Sequence, residues 1–272
     1  MRPVPAIVVI IIFCSLMIMP VPADVTTSPD HYIIRSYNYV LDGRQGTLTL
    51  ALSTEVYKKY LGMEPQYENR DNTSYFLSFV NDPAQAPYIR ALADEIRVAS
   101  ADPDDQARIA TNLVQHITYN KGNNTRYPYE VLYEGQGVCG EKSILLTALL
   151  RELGFRSSVM YFMPENHMTA GIGCEAPYEF QGTGYCMIES TVPSIITDET
   201  SFPDFNTAGW SSPEVTGVSE GRSFDTASHD YYDARAVILL KAENADAHKA
   251  GESLRTKDYV RWYLLKNKYD LF

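Results

Sequence analysis

The chain is 272 residues long and poor in cysteine, with four, and in tryptophan, with two. That rules out the dense disulfide framework of a small secreted scaffold, so an apolar core must hold a chain of this length. Basic charge is in deficit too: 23 Lys and Arg stand against 34 Asp and Glu, a formal charge of −11. Such a surface repels phosphate backbones, which argues against a nucleic-acid-binding role. After the first 23 residues no apolar run is long enough to span a membrane, and no repeat is visible. What the chain has in abundance is tyrosine, 20 of them. Tyrosine suits half-buried strand and groove positions, which favours a β-containing fold over a helical bundle.

The N-terminus carries one basic residue, Arg2, and then an apolar run from Ala6 to Met19 broken only by Ser15. As a helix this run would reach about 21 Å, short of the ~30 Å hydrocarbon core. Pro20 and Pro22 end it, and Val21 and Ala23 are small residues suited to a cleavage site before Asp24. The segment reads as a signal peptide or, uncleaved, as an N-terminal anchor. Either way the body of the protein is expected to be exported, secreted or anchored outside the cell, with membrane contact only through this segment. Ile12-Phe13 before Cys14 are too large for a lipoprotein site. Asn72-Thr73-Ser74 and Asn123-Asn124-Thr125 are glycosylation sequons.

Beyond the leader three cysteines remain, Cys139, Cys174 and Cys186, so at least one is unpaired within the chain. Cys174 and Cys186 flank a Gly/Pro-containing loop and are the natural pair, which leaves Cys139 free. A free thiol outside the cell is a liability unless it does chemistry.

Periodicity predicts strands over His31–Tyr39 and Gly46–Leu52, with Asp42-Gly43 as a hairpin signal in a loop longer than two residues. Thr54–Leu61 reads as a short helix or turn, and Tyr75–Val80 as strand or helix. Ile89, Leu92 and Ile96 mark a helix over Pro87–Ala99, and Asp102-Pro103 starts another that runs to about Tyr119. Cys139–Leu153 has a broad apolar face and Gly154 at its C-terminal cap. Strands are expected at Ser157–Met163, Met168–Cys174, Tyr185–Ser190 and Ala236–Lys241, a surface excursion over 198–233, and a final helix over Leu254–Lys266.

Cys139 opens the most strongly patterned helix, where backbone N–H groups favour a thiolate. Gly137 and Gly140 flank it and would let a substrate backbone approach. His167 enters a strand after the Pro164-Glu165-Asn166 turn, placed to serve as a general base. Glu189 follows apolar Met187 and Ile188, and a carboxylate in such a strand needs a partner. His167 Nδ1–H donating to it would also fix the imidazole tautomer. If His167 lay directly opposite Glu189 in a regular antiparallel pair, Cys174 and Cys186 would be four residues out of step, roughly 13 Å. A bulge or wide loop would then be needed to bridge them.

Tyr127 to Leu132, Gly135-Gln136-Gly137-Val138-Cys139-Gly140-Glu141-Lys142-Ser143, Leu149 to Phe155, Asn166-His167-Met168 and Tyr185 to Thr191, with Val114 to Tyr119 upstream, resemble the transglutaminase-like superfamily. They look closest to its exported archaeal members. The resemblance covers about residues 85–195. It implies an α+β, papain-like core with a nucleophile helix packed on an antiparallel sheet, Cys139 as nucleophile, His167 as base and Glu189 in the orienting position that is usually Asp. Oxyanion donors would be the Cys139 N–H and the side chain of Gln115 or Gln136. The organisation expected is a leader over 1–23, a β-rich segment over 24–84 packed on the core, the core over 85–197, and the excursion with a terminal strand and helix over 198–272. The activity implied is amide hydrolysis on a protein or peptide by a thiol, without cofactor. Alternatives are glutamine transamidation and a non-catalytic surface-binding module. Cys, His and Glu are also zinc ligands, but no fourth ligand stands at a suitable spacing, so no metal is expected.

Overall fold

Leu48, Leu50 and Leu52 alternate with polar residues, and this period of two turns all three into the core. They lie on β2 (Arg44–Ser53), which pairs antiparallel with β1 (Tyr32–Leu41). The strands run closer together than the sequence suggested, so Asp42-Gly43 alone makes the turn. Both residues have positive φ, 49° and 74°, as a two-residue hairpin of matching twist requires. The computed structural model describes residues 31–65, 71–122, 124–200 and 209–271. The leader or anchor reading of residues 1–23, and the tail to residue 30, lie outside them.

Four helices follow. Ser53 caps α1 (Thr54–Tyr60) by accepting from Val56 N–H. Asp71 caps α2 (Asn72–Val80), which settles Tyr75–Val80 as helix, with Phe76, Phe79 and Val80 buried at helical spacing. α3 (Ala86–Ala99) buries Ile89, Leu92 and Ile96. Asp102 accepts from the N–H groups of Asp104 and Asp105 and so starts α4 (Pro103–His116). α4 stops before the predicted Tyr119, because Thr118–Tyr119 leaves as β3 to pair in parallel with β4 (Gln136–Gly137). Between them α5 (Pro128–Glu134) had no counterpart in the sequence reading. Its signals are Pro128 at the first position, Glu130 accepting from Tyr127 N–H, and Gly135 at φ 70° closing it.

α6 (Cys139–Glu152) is the centre of the molecule. Residues Glu141 to Leu150 are all buried. Its apolarity all round has a plain cause: β-strands cover one side and α2, α3, α4 and α5 the others. The strands are β5 (Ser157–Phe162), β6 (His167–Gly173), β7 (Tyr185–Ile188) and β8 (Glu214–Ser219), in the antiparallel order β7-β6-β5-β8. β8 corrects the reading of 198–233 as a surface excursion: it forms the sheet edge against β5, with Thr216 buried. Residues 201–208 lie outside the described part.

Ala236–Lys241 is helix, not strand. It lies inside α7 (Ala227–Lys249), where Ala234, Val237 and Leu240 fall at helical spacing and are buried. A four-residue apolar run is compatible with either period, and here the partner decided it: α8 (Thr256–Tyr269) packs Leu265 into that face. Arg108 on α4 anchors the start of α7 through a 2.5 Å ion pair to buried Asp230 and a hydrogen bond to Thr226. Breaking such a buried pair costs about 3–5 kcal/mol. Among the described residues no helix is long and apolar enough to cross a membrane.

The β6–β7 register resolves the disulfide question. Ala170 opposes Ile188 and Ile172 opposes Cys186, so His167 and Glu189 are diagonal rather than opposed. That two-residue difference brings Cys174 within reach of Cys186, with a Cα–Cα separation of 5.7 Å and the bridge formed. No bulge is needed. Replacing both cysteines by serine is expected to cost about 3 kcal/mol by loop entropy, read as a lower urea midpoint.

Candidate active site

Three chain segments converge on one opening: the first residue of α6, the first of β6 and the residue after β7. Cys139 is partly exposed and is the free cysteine among the described residues. His167 and Glu189 lie behind it, 3% and 1% exposed. The His167 Nε2–H donates to Glu189 Oε2 at 2.8 Å. This corrects the expected Nδ1 donor: the diagonal register presents Nε2 to the carboxylate, and the Cys139 side chain is the other hydrogen-bond partner acting on His167. Glu189 Oε1 accepts from the N–H and the hydroxyl of Thr191 at 2.7 and 2.5 Å, so every carboxylate oxygen has a donor.

The electrostatics follow from these contacts. Burial pushes the Cys139 thiol up. The hydrogen bond and positive charge of His167, with the N–H groups of Met168 and Gly140, outweigh it and hold the thiol below its ordinary value. For His167, burial works against the charged form, but Cys139 and Glu189 prevail and raise it to about 9. The two shifts describe one coupled pair, and both run in the direction that favours a thiolate beside an imidazolium.

Neighbouring backbone holds this geometry. Ser143 Oγ donates to Met168 O at 3.0 Å and shares a 2.9 Å hydrogen bond with Ser190 Oγ, which ties α6 to both strands. Glu141 Oε2 accepts from Val138 N–H at 2.9 Å and closes the first turn of α6, while Arg126 binds the same carboxylate at 3.0 Å. Gly137 has a different task from the one expected. A Cβ there would meet Glu141, Lys142 and Val131 at 3.3–3.4 Å, so its small size serves packing and not substrate approach. The ring of Trp210, from the segment before β8, lies 5.5 Å from the His167 ring.

The two glutamines sit elsewhere in the network. Gln115 is buried, and its amide donates to Glu189 O and to Ser194 O and Oγ at 2.8–3.1 Å. Gln136 donates to Glu134 at 2.9 Å and accepts from Asn120 at 2.7 Å. A residue absent from the sequence reading is Tyr119. It is 58% exposed at the end of β3, and its hydroxyl is pushed up by burial and then by the charges of Cys139, Glu189 and Glu141, which share its surroundings. Its position next to a two-residue parallel bridge could not be read from spacing. Among the described residues no group of three His, Cys, Asp or Glu is placed to hold a metal.

Fold and site together define an α+β core of transglutaminase-like, papain-like architecture, with a cysteine at a buried helix start. Residues 90–190 match the model of the transglutaminase-like superfamily. Among solved structures the chain is similar to Legionella pneumophila LapG, at 17% identity over 55% of this chain and 94% of that one, TM-score 0.32. The calcium-bound form of LapG gives 14% identity over 62% and 90%, TM-score 0.30. A candidate cysteine protease from Cytophaga hutchinsonii gives 13% over 71% and 80%, TM-score 0.29. No curated protein matches the sequence.

The thiolate–imidazolium pair has a direct readout. Alkylation of Cys139 by iodoacetamide is expected to persist to lower pH than for an ordinary thiol, whose value is about 8.5. His167→Asn removes the cation and should return the rate to an ordinary thiol titration, slow at pH 6. A wild-type rate that rises only near pH 8.5 would contradict the pairing.

Proposed function

We propose that the chain is an exported thiol acyl-transfer enzyme that hydrolyses amide bonds of a protein or peptide. Cys139 is the nucleophile, His167 the proton carrier and Glu189 the group that orients it. The observation that carries this reading is the hydrogen-bonded series Cys139–His167–Glu189 at the mouth of a buried helix.

The steps follow from the charges. Cys139 Sγ attacks the amide carbonyl and forms a tetrahedral oxyanion. Backbone N–H groups at the start of α6 are the donors we assign to the oxyanion, with the Tyr119 hydroxyl as a further candidate, in place of Gln115 and Gln136, whose amides are bonded elsewhere. The C–N bond breaks as His167 passes its proton to the departing amine, which leaves a thioester. His167, now neutral, takes a proton from water, the hydroxide adds to the thioester carbonyl, and the C–S bond breaks to release the acid and restore the thiolate beside the imidazolium. An amine in place of water would give transamidation by the same residues. Export is supported by the apolar run at the N-terminus and by the Cys174–Cys186 bridge, which suits an oxidising compartment.

A mixed peptide library supplied with a labelled primary amine tests the reading, with new termini and incorporated amine counted separately. New termini are expected to dominate. Cys139→Ser should lower turnover at least about 10³-fold and keep stability within about 1 kcal/mol. Glu189→Gln should lower kcat roughly 10²- to 10⁴-fold with little change in KM, because it disturbs the imidazole and not the binding of substrate. A binding module would show neither product, with Cys139→Ser still retaining the ligand.

A further inference from the structure

Lys142 is 0% exposed, a lysine within the buried stretch of α6. One turn beyond Cys139, its Nζ donates to three backbone carbonyls: Ile117 O at 2.7 Å, Gln115 O at 3.1 Å and Thr191 O at 3.2 Å. An ammonium has three donors, so all of its hydrogen-bonding capacity is spent. These acceptors come from the end of α4, the approach to β3 and the segment after β7. The first two lead into Tyr119. The third is the residue whose N–H and hydroxyl hold Glu189 Oε1.

Carbonyls could be satisfied there by a neutral donor, and a buried cation is costly to keep. What a cation adds is a field, and the acidic group that feels it is Glu189. Burial pushes the Lys142 ammonium down to about 8, and the Glu189 charge works against that fall. The other charged groups around it are accounted for. Glu141 is held by Arg126, His167 and Cys139 act on each other, and Tyr119 is exposed.

We propose that Lys142 is a positioning residue of the active site: its buried ammonium fixes Thr191, the residue that holds the Glu189 carboxylate behind His167, and sets a positive charge beside that network. This rests on the acyl-transfer reading for its purpose but not for its test. A cation removed from beside Glu189 leaves every neighbouring acid harder to ionise. Lys142→Met keeps the volume and removes the charge. In that variant the acid limb of Cys139 alkylation against pH is expected to move upward by about one pH unit. A lysine that serves only as a bolt would lower the melting temperature and leave the limb where it was, and that result overturns the proposal.

The coupling must also run in the other direction, which gives a measurement that does not depend on the folding of Lys142→Met. The Nζ of Lys142, followed by NMR in protein labelled with ¹⁵N-lysine, is expected to titrate about one unit lower in Glu189→Gln than in the wild type. Equal titration in the two proteins overturns the proposal. If instead the wild-type thiol titrates as an ordinary cysteine, the acyl-transfer reading fails, and the lysine titration still decides whether Lys142 and Glu189 are coupled.

Discussion

The pairing of the Cys139 side chain with the His167 imidazole at the edge of the core is the interaction on which the rest of the structure turns. Both groups are partly or wholly removed from water, so each alone would favour its neutral form. Their charged forms are favoured because each can supply the other's counter-ion and because fixed donors and acceptors complete the shell: the N–H groups of Met168 and Gly140 on Cys139, and Glu189 on His167. Little of this arrangement rests on mobile surface side chains. Its stiffness comes from α6, which is buried between β-strands and four helices and carries Cys139 at its one open end.

The supporting bonds share a pattern. Gln115, Lys142 and Ser143 each reach across elements to a backbone carbonyl, and each of those carbonyls belongs to the segments around His167, Glu189 or Tyr119. Bonds to backbone fix where a strand end lies, whereas bonds to a side chain fix only one rotamer. The Cys174–Cys186 bridge joins the end of β6 to β7 on the side away from His167, so the strand pair is secured at both ends. The diagonal register leaves a gap between His167 and Glu189 that the glutamate side chain spans with a 2.8 Å hydrogen bond.

Much of this was legible in advance because it is written in local chemistry. The β1–β2 leucine alternation, the Asp102-Pro103 helix start and the apolar span from Ile144 to Leu153 each announce their element within a few residues. Cys139, His167 and Glu189 were identifiable because each is chemically out of place: a free thiol, a histidine at a strand mouth, an acid after apolar residues. The misses have physical causes. Val237 to Leu240 is too short a run to reveal its period without α8 beside it. β8 is an edge strand among polar residues, and only pairing with β5 defines it. Tyr119 and the roles of Gln115 and Gln136 depend on a parallel bridge between residues far apart in sequence.

The sequence by itself determined which residues could do chemistry and which helix would begin at the free cysteine, since side-chain type and hydrophobic period are local properties. The tertiary structure alone decided how those residues meet. The register of β6 on β7 chose which imidazole nitrogen faces the carboxylate and allowed the disulfide. The packing around α6 placed a buried lysine behind the acid. Such outcomes depend on the energies of long-range contacts, which no stretch of neighbouring residues contains.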